Sequence, residues 1–114
     1  MSAEVADVLE RAAARIERDG LARSGWFYDG SRWPGKRRLS QREVGRVIRL
    51  ASPPCCATGA LLAESGSAFG NIFMARRAFQ RHSGVRFITE WSDSTPQAEV
   101  VAAFRAAAEA ERAS

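Results

Sequence analysis

Histidine occurs once in this chain, at position 82, and cysteine twice, at the adjacent positions 55 and 56. There is no Cys-x-x-Cys pair, so a standard structural zinc site cannot be assembled from these side chains, and neither metal nor cofactor is expected. A disulfide between neighbouring residues closes a strained ring far from the usual geometry, so both thiols are expected to be reduced. No apolar run approaches the roughly 20 residues that span a bilayer. The opening segment M-S-A-E-V-A-D-V-L-E carries acids where a secretory signal has a basic region and an apolar core. These absences lead to the expectation of a cytoplasmic protein without membrane contact, a setting that keeps thiols reduced.

What is present is ordinary for a globular domain: 46% hydrophobic and 26% charged residues over 114 positions. A chain of this length forms one domain, 1–114, and buries roughly 65% of the surface its unfolded form exposes. Val5, Val8, Leu9, Ala12 and Ile16 recur at helical spacing, and Gly20 supplies a stop. From Gly20 to Leu39 the periodicity disappears. That stretch holds Gly20, Gly25, Gly30, Gly35 and Pro34, with Trp26, Phe27, Tyr28 and Trp33 placed to pin it to the core. A loop of about 20 residues inside a small domain is uncommon and often functional.

S-Q-R-E at Ser40 to Glu43 is a capping box opening a helix through Val44, Val47, Ile48 and Ala51, which Pro53 and Pro54 end. Residues 55–64 read as a short, nearly all-apolar buried helix. Ser67 begins another, with Phe69, Ile72, Phe73, Arg76 and Phe79, closed at Ser83-Gly84. Residues 85–91, V-R-F-I-T-E-W, fit a strand through Val85, Phe87, Thr89 and Trp91, or a helical turn through Val85, Ile88 and Trp91; a short helix or extended segment is the reading adopted. S-T-P-Q then starts the last helix, with the stripe Val100, Val101, Phe104, Ala107 and Ala108. The fold expected is mostly α: a compact single-domain bundle of about five helices, with a long aromatic and basic loop (20–39) after the first.

With these elements placed, the chain resembles a family of small actinobacterial and actinophage proteins without an assigned function. The resemblance rests on Gly25-Trp26, on C-A-T-G-A at Cys56 to Ala60, on W-S-D at Trp91 to Asp93, and on Glu99-Val100 opening an Ala-rich last helix. Two positions depart from it: F-Y-D-G follows Gly-Trp, and Ser92 stands where the pattern has Asn. The resemblance implies no catalytic residues. It does imply the company of phage and mobile-element accessory proteins.

Three places carry chemistry worth testing. Cys56, in the first turn of a helix, faces the positive end of the dipole, which favours thiolate; with His82 and Asp93 it follows the order of a nucleophile, base and orienting acid. The competing reading is a small buried hydrophobe packed beside Gly59 and Ala60. The second place is the basic block: Arg32, Lys36, Arg37, Arg38, Arg42, Arg46 and Arg49 against Glu43 alone, a local +6 in a chain of net +4 that leaves −2 elsewhere. Arg42, Arg46 and Arg49 share one helix face opposite Val44, Val47 and Ile48, and Tyr28 and Trp33 stand near for stacking. The third is Trp91-Ser92-Asp93 with Gly25-Trp26, either a polar pocket between two indoles or core tryptophans with Asp93 or Ser94 capping the last helix.

The leading expectation is a non-enzymatic binding protein engaging an acidic macromolecule through Arg32–Arg49 with Trp33. A protein partner is preferred to nucleic acid, because the 55–64 helix carries no basic residue to read a groove. The alternatives are a cysteine-nucleophile enzyme using Cys56 and a non-specific nucleic-acid binder. A homodimer through Val101, Phe104 and Ala108 is the further option, should that stripe face solvent.

Overall fold

The computed structural model describes residues 2–21, 55–65 and 69–114. Among these the fold is mostly α, with five helices: α1 (Ser2–Asp19), α2 (Ala57–Glu64), α3 (Phe69–Ser83), α4 (Ile88–Ser94) and α5 (Gln97–Ala113). The helix expected over Ser40–Leu50, the loop expected from residue 22 onward and Trp26 lie outside the described residues.

The longest two helices form the spine. Ala6, Val8, Leu9, Ala12, Ala13 and Ile16 of α1 are buried, as are Val100, Val101, Phe104, Ala107 and Ala108 of α5. The alanines on both faces shorten the approach, and Leu9, Ile16 and Phe104 fill the space between. The helices run antiparallel: Asp7 meets Arg112, Glu17 meets Arg105, and the Leu21 amide donates to Gln97 Oε1 at 3.1 Å. Val101, Phe104 and Ala108 are therefore core residues, and the exposed stripe that a dimer through them required does not exist; core-facing and partner-facing stripes share one spacing, and packing on α1 decides between them.

α1 stops at Gly20, whose φ of 95° is the left-handed conformation that closes a helix, with its amide returning to the Ile16 carbonyl at 2.8 Å. The chain is next described at Cys55, which makes an isolated parallel bridge with Leu21. α3 and α4 complete the core through Ala75, Ala78, Phe79 and Ile88. The Phe79 ring lies 4.6 Å from that of Phe104 and 5.4 Å from that of Trp91, in tilted contacts favourable for aromatic quadrupoles. Phe73, grouped with Ile72 and Phe79 by spacing, is instead 58% exposed: the buried register runs through Ala75, Ala78 and Phe79.

Residues 85–87 lead into α4, so the 85–91 segment becomes a helix from Ile88. Pro96 is the N-cap of α5 and makes no side-chain capping bond. The Ser94 hydroxyl does not cap α5 either: it turns back to the Glu90 and Trp91 carbonyls. No described helix is long and apolar enough to cross a membrane.

Candidate functional site

Every member of the basic block, namely Arg32, Lys36, Arg37, Arg38, Arg42, Arg46 and Arg49, lies outside the described residues, as does Trp33. Cys56, His82 and Asp93 lie within them.

Cys56 is the N-cap of α2, with extended backbone, and its Sγ accepts from the Gly59 amide at 3.4 Å. One position on, the Ala57 amide donates to Ser92 Oγ at 3.1 Å, and Thr58 Oγ1 lies 2.9 Å from Thr89 Oγ1. Two of the four amides that a helix start leaves unpaired are thus met by side chains, one from Cys56 and one from α4. Cys56 is 1% exposed and Ser92 0%. The C-A-T-G-A and W-S-D segments, 35 positions apart, meet in this one buried junction. Gly59 and Ala60, both buried, let the α2 backbone sit close to its neighbours.

Burial decides the chemistry of the thiols. It pushes the Cys56 thiol above its ordinary value, outweighing the Gly59 and Thr58 amides that favour thiolate; the negative charge of Asp93 raises it further. The dipole effect anticipated for a helix start is present in those amides and is overridden by desolvation. Cys55, fully buried, is pushed well above the ordinary thiol range, first by burial and then by its neighbour Cys56. Both are free cysteines.

His82 is engaged elsewhere. Its Nε2 lies 2.8 Å from Glu111 Oε2, which also accepts from Arg81 Nη2 at 2.8 Å. Glu111 is 6% exposed, and hydrogen bonds from His82 and then Arg81 hold its carboxyl below the ordinary value. The imidazole thus ties the end of α3 to the end of α5, while the Cys56 thiol caps α2. Among the described residues no group of three or more His, Cys, Asp or Glu side chains is placed to hold a metal ion.

A second polar cluster joins α1 to α2. Arg15, 8% exposed, donates through Nε to Glu64 Oε2 at 2.7 Å, and Arg11 Nε lies 3.3 Å from Glu64 Oε1. Arg18 forks onto Asp19 with two bonds of 2.9 Å. Arg15 Nη1 is buried without a hydrogen-bond partner, 3.9 Å from Asp19 Oδ2. On the outside of the spine, Arg105 grips Glu17 with two bonds of 3.0 Å, and Arg112 reaches Asp7 and Glu10.

Sequence reasoning singled out Cys56 and the Trp91-Ser92-Asp93 segment but missed the bond that joins them, because the role of Ser92 depends on α4 folding back over the α2 start. A Ser three residues after Thr89 in a short amphipathic segment carries no local signal of a partner 35 positions away. No curated protein and no solved structure matches the chain. A family model does match, over residues 1–110, and the chain belongs to that family, the family of unknown function DUF6197.

Proposed function

We propose that this is a small non-enzymatic binding protein, working in the cytoplasm, that engages an acidic macromolecule through the basic segment carrying Arg32, Lys36, Arg37, Arg38, Arg42, Arg46 and Arg49, with Trp33 beside them. A protein is the favoured partner. The observation that carries this reading is the separation of charge between the helical frame and that segment. In the frame, six of the nine described arginines, Arg11, Arg15, Arg18, Arg81, Arg105 and Arg112, lie against a carboxylate. The sequence outside Gly30–Leu50 sums to −2, whereas that block sums to +6 with Glu43 as its lone acid. A concentrated excess of one sign steers association with the opposite sign and sets partner choice.

The non-enzymatic part is supported by the state of the thiols. A cysteine held protonated by burial is a poor nucleophile, and Cys56 already accepts hydrogen bonds from its own helix. The resemblance to phage-associated proteins fits an accessory that acts on a host component.

The test is capture of partners from host lysate by tagged protein, with and without nuclease, beside a variant carrying Arg42→Glu, Arg46→Glu and Arg49→Glu. A discrete protein that survives nuclease and is lost with the variant is expected. Recovery of nucleic acid, released at moderate salt, would move the assignment to a nucleic-acid binder, whose log affinity falls steeply with log salt. Identical behaviour of wild type and variant would remove the basic segment from the account.

A further inference from the structure

Nine arginines fall within the described residues, and six lie against carboxylates. The remaining three, Arg76, Arg77 and Arg86, form no ion pair and no side-chain hydrogen bond. They also occur together. Phe73, Arg76, Arg77 and Gln80 stand at i, i+3, i+4 and i+7 on α3, which is one face of a helix. Gln80 Nε2 donates to the Arg86 carbonyl at 2.8 Å, bringing Arg86 and Phe87 to the C-terminal end of that face. The Arg86 guanidinium sits 5.4 Å from the centre of the Phe87 ring. The opposite side of α3 is the core side, with Ala75, Ala78 and Phe79.

The exposed large hydrophobic side chains of the described residues are Phe73 at 58%, Met74 at 44% and Phe87 at 62%. All three belong to this same region: Phe73 on the face, Met74 adjoining it, Phe87 at its end. Unpaired cations and uncovered apolar side chains thus coincide, while the rest of the described frame pairs its arginines and covers its large apolar groups. Aromatic residues, methionine and arginine are the types enriched at the centres of protein interfaces, where lysine and the acids are depleted. The α3 sequence contains no acid at all, and Glu90, in the first turn of α4, makes no ion pair with Arg86.

The chain's own residues 30–50 are a poor occupant, since they carry +6 and would meet three further cations. A nucleic-acid strand is also a poor match. Single-strand binders track the backbone in a basic groove, whereas three charges on one convex helix flank address only a few phosphates. We propose that this face of α3, with Arg86 and Phe87 at its end, docks an acidic protein segment. Apolar side chains of that segment cover Phe73, Met74 and Phe87, and its carboxylates meet Arg76 and Arg77. The proposal uses none of the Arg32–Arg49 residues and does not rest on the reading given to them.

A random displayed peptide library, selected on the folded full chain and counter-selected on a Phe73→Ser, Arg77→Glu variant, tests this. Enriched peptides should interleave Asp or Glu with large apolar residues. A synthetic consensus peptide should bind about tenfold or more weakly to Arg76→Glu with Arg77→Glu, and similarly to Phe87→Ser. It should bind unchanged to the Arg42→Glu, Arg46→Glu, Arg49→Glu variant. All substituted positions on the face are exposed, and thermal melts of the variants should match wild type. No enrichment, enriched peptides without acids, or equal binding by the face variants overturns the proposal. So does tighter binding of a random single-stranded oligonucleotide at the same residues. Binding lost only in the Arg42, Arg46, Arg49 variant would sink this surface and leave the basic segment standing.

Discussion

The five described arginines of α1 and α5 all lie against carboxylates, whereas Arg76 and Arg77 on the outer face of α3 have none. The difference comes from where the acids are. α1 carries Asp7, Glu10, Glu17 and Asp19, and antiparallel pairing with α5 brings Arg105 and Arg112 onto them. α3 has no acid of its own and shares only its last turn, through Arg81 and His82, with Glu111. One flank therefore satisfies its groups internally, and the other presents them. Internal satisfaction contributes to stability only where it is also buried, because exposed ion pairs are worth little. Substitutions should therefore separate the two flanks sharply: folding is lost on one and kept on the other.

The largest loss is expected at Glu64. Glu64→Ala removes the 2.7 Å partner of Arg15, which is 8% exposed, and leaves a buried guanidinium with only Asp19 at 3.9 Å. Removing one member of a buried pair costs about 3 kcal/mol, visible as a drop in the denaturant midpoint at unchanged slope. A loss close to zero would mean that water reaches Arg15, and that this flank is no better satisfied than α3.

Ser92→Ala comes next. The Ala57 amide then loses its acceptor in a fully buried junction, at a cost of about 1–3 kcal/mol by chemical denaturation. Alkylation of Cys56 in the native state should remain slow in this variant if burial alone holds the thiol protonated. Rapid reaction would show that the α4 lid over α2, rather than the surrounding apolar residues, protects it.

Glu111 stands on the border between the flanks and supplies a pH test. Its carboxyl is held below the ordinary glutamate value by His82 and Arg81. A carboxyl depressed in the folded state contributes stability that is fully present above its unfolded value, about 4.3, and is lost as pH falls through the folded one. The melting temperature should therefore fall from about pH 4 downward, and Glu111→Gln should flatten that part of the curve while lowering stability at neutral pH. An acid limb unchanged in Glu111→Gln would assign it to other carboxylates.

The division between the flanks also marks how far the sequence could be read. The spine was legible because its stripes, Val8, Leu9, Ala12 and Ile16 against Val100, Phe104, Ala107 and Ala108, follow the helical period that burial imposes. Gly20 was legible as a stop because a residue there must take positive φ. Two features were left open for a shared reason. The direction of the Val101–Phe104–Ala108 stripe and the exposure of Phe73 both depend on which neighbour a helix face meets, and periodicity alone does not specify it. At Cys56 the balance turns on magnitude, which spacing does not give: the helix-start amides favour thiolate as anticipated, but desolvation is the larger effect. The bond from the Ala57 amide to Ser92 was illegible because a cap supplied across 35 residues has no local spacing.

The smallest expected effect on folding is the most informative about the comparison. Arg76→Glu combined with Arg77→Glu changes two exposed positions that hold no ion pair, on a helix whose core side is Ala75, Ala78 and Phe79. Surface changes of this kind stay within about 0.5 kcal/mol. The double variant should therefore melt with wild type while losing whatever the face holds. If it instead unfolds the protein, Arg76 and Arg77 are held by contacts as firm as those of Arg15, and the contrast between a satisfied flank and a presenting one disappears. If folding is untouched and peptide binding is lost, the side chains that the frame leaves unpaired are the ones it uses.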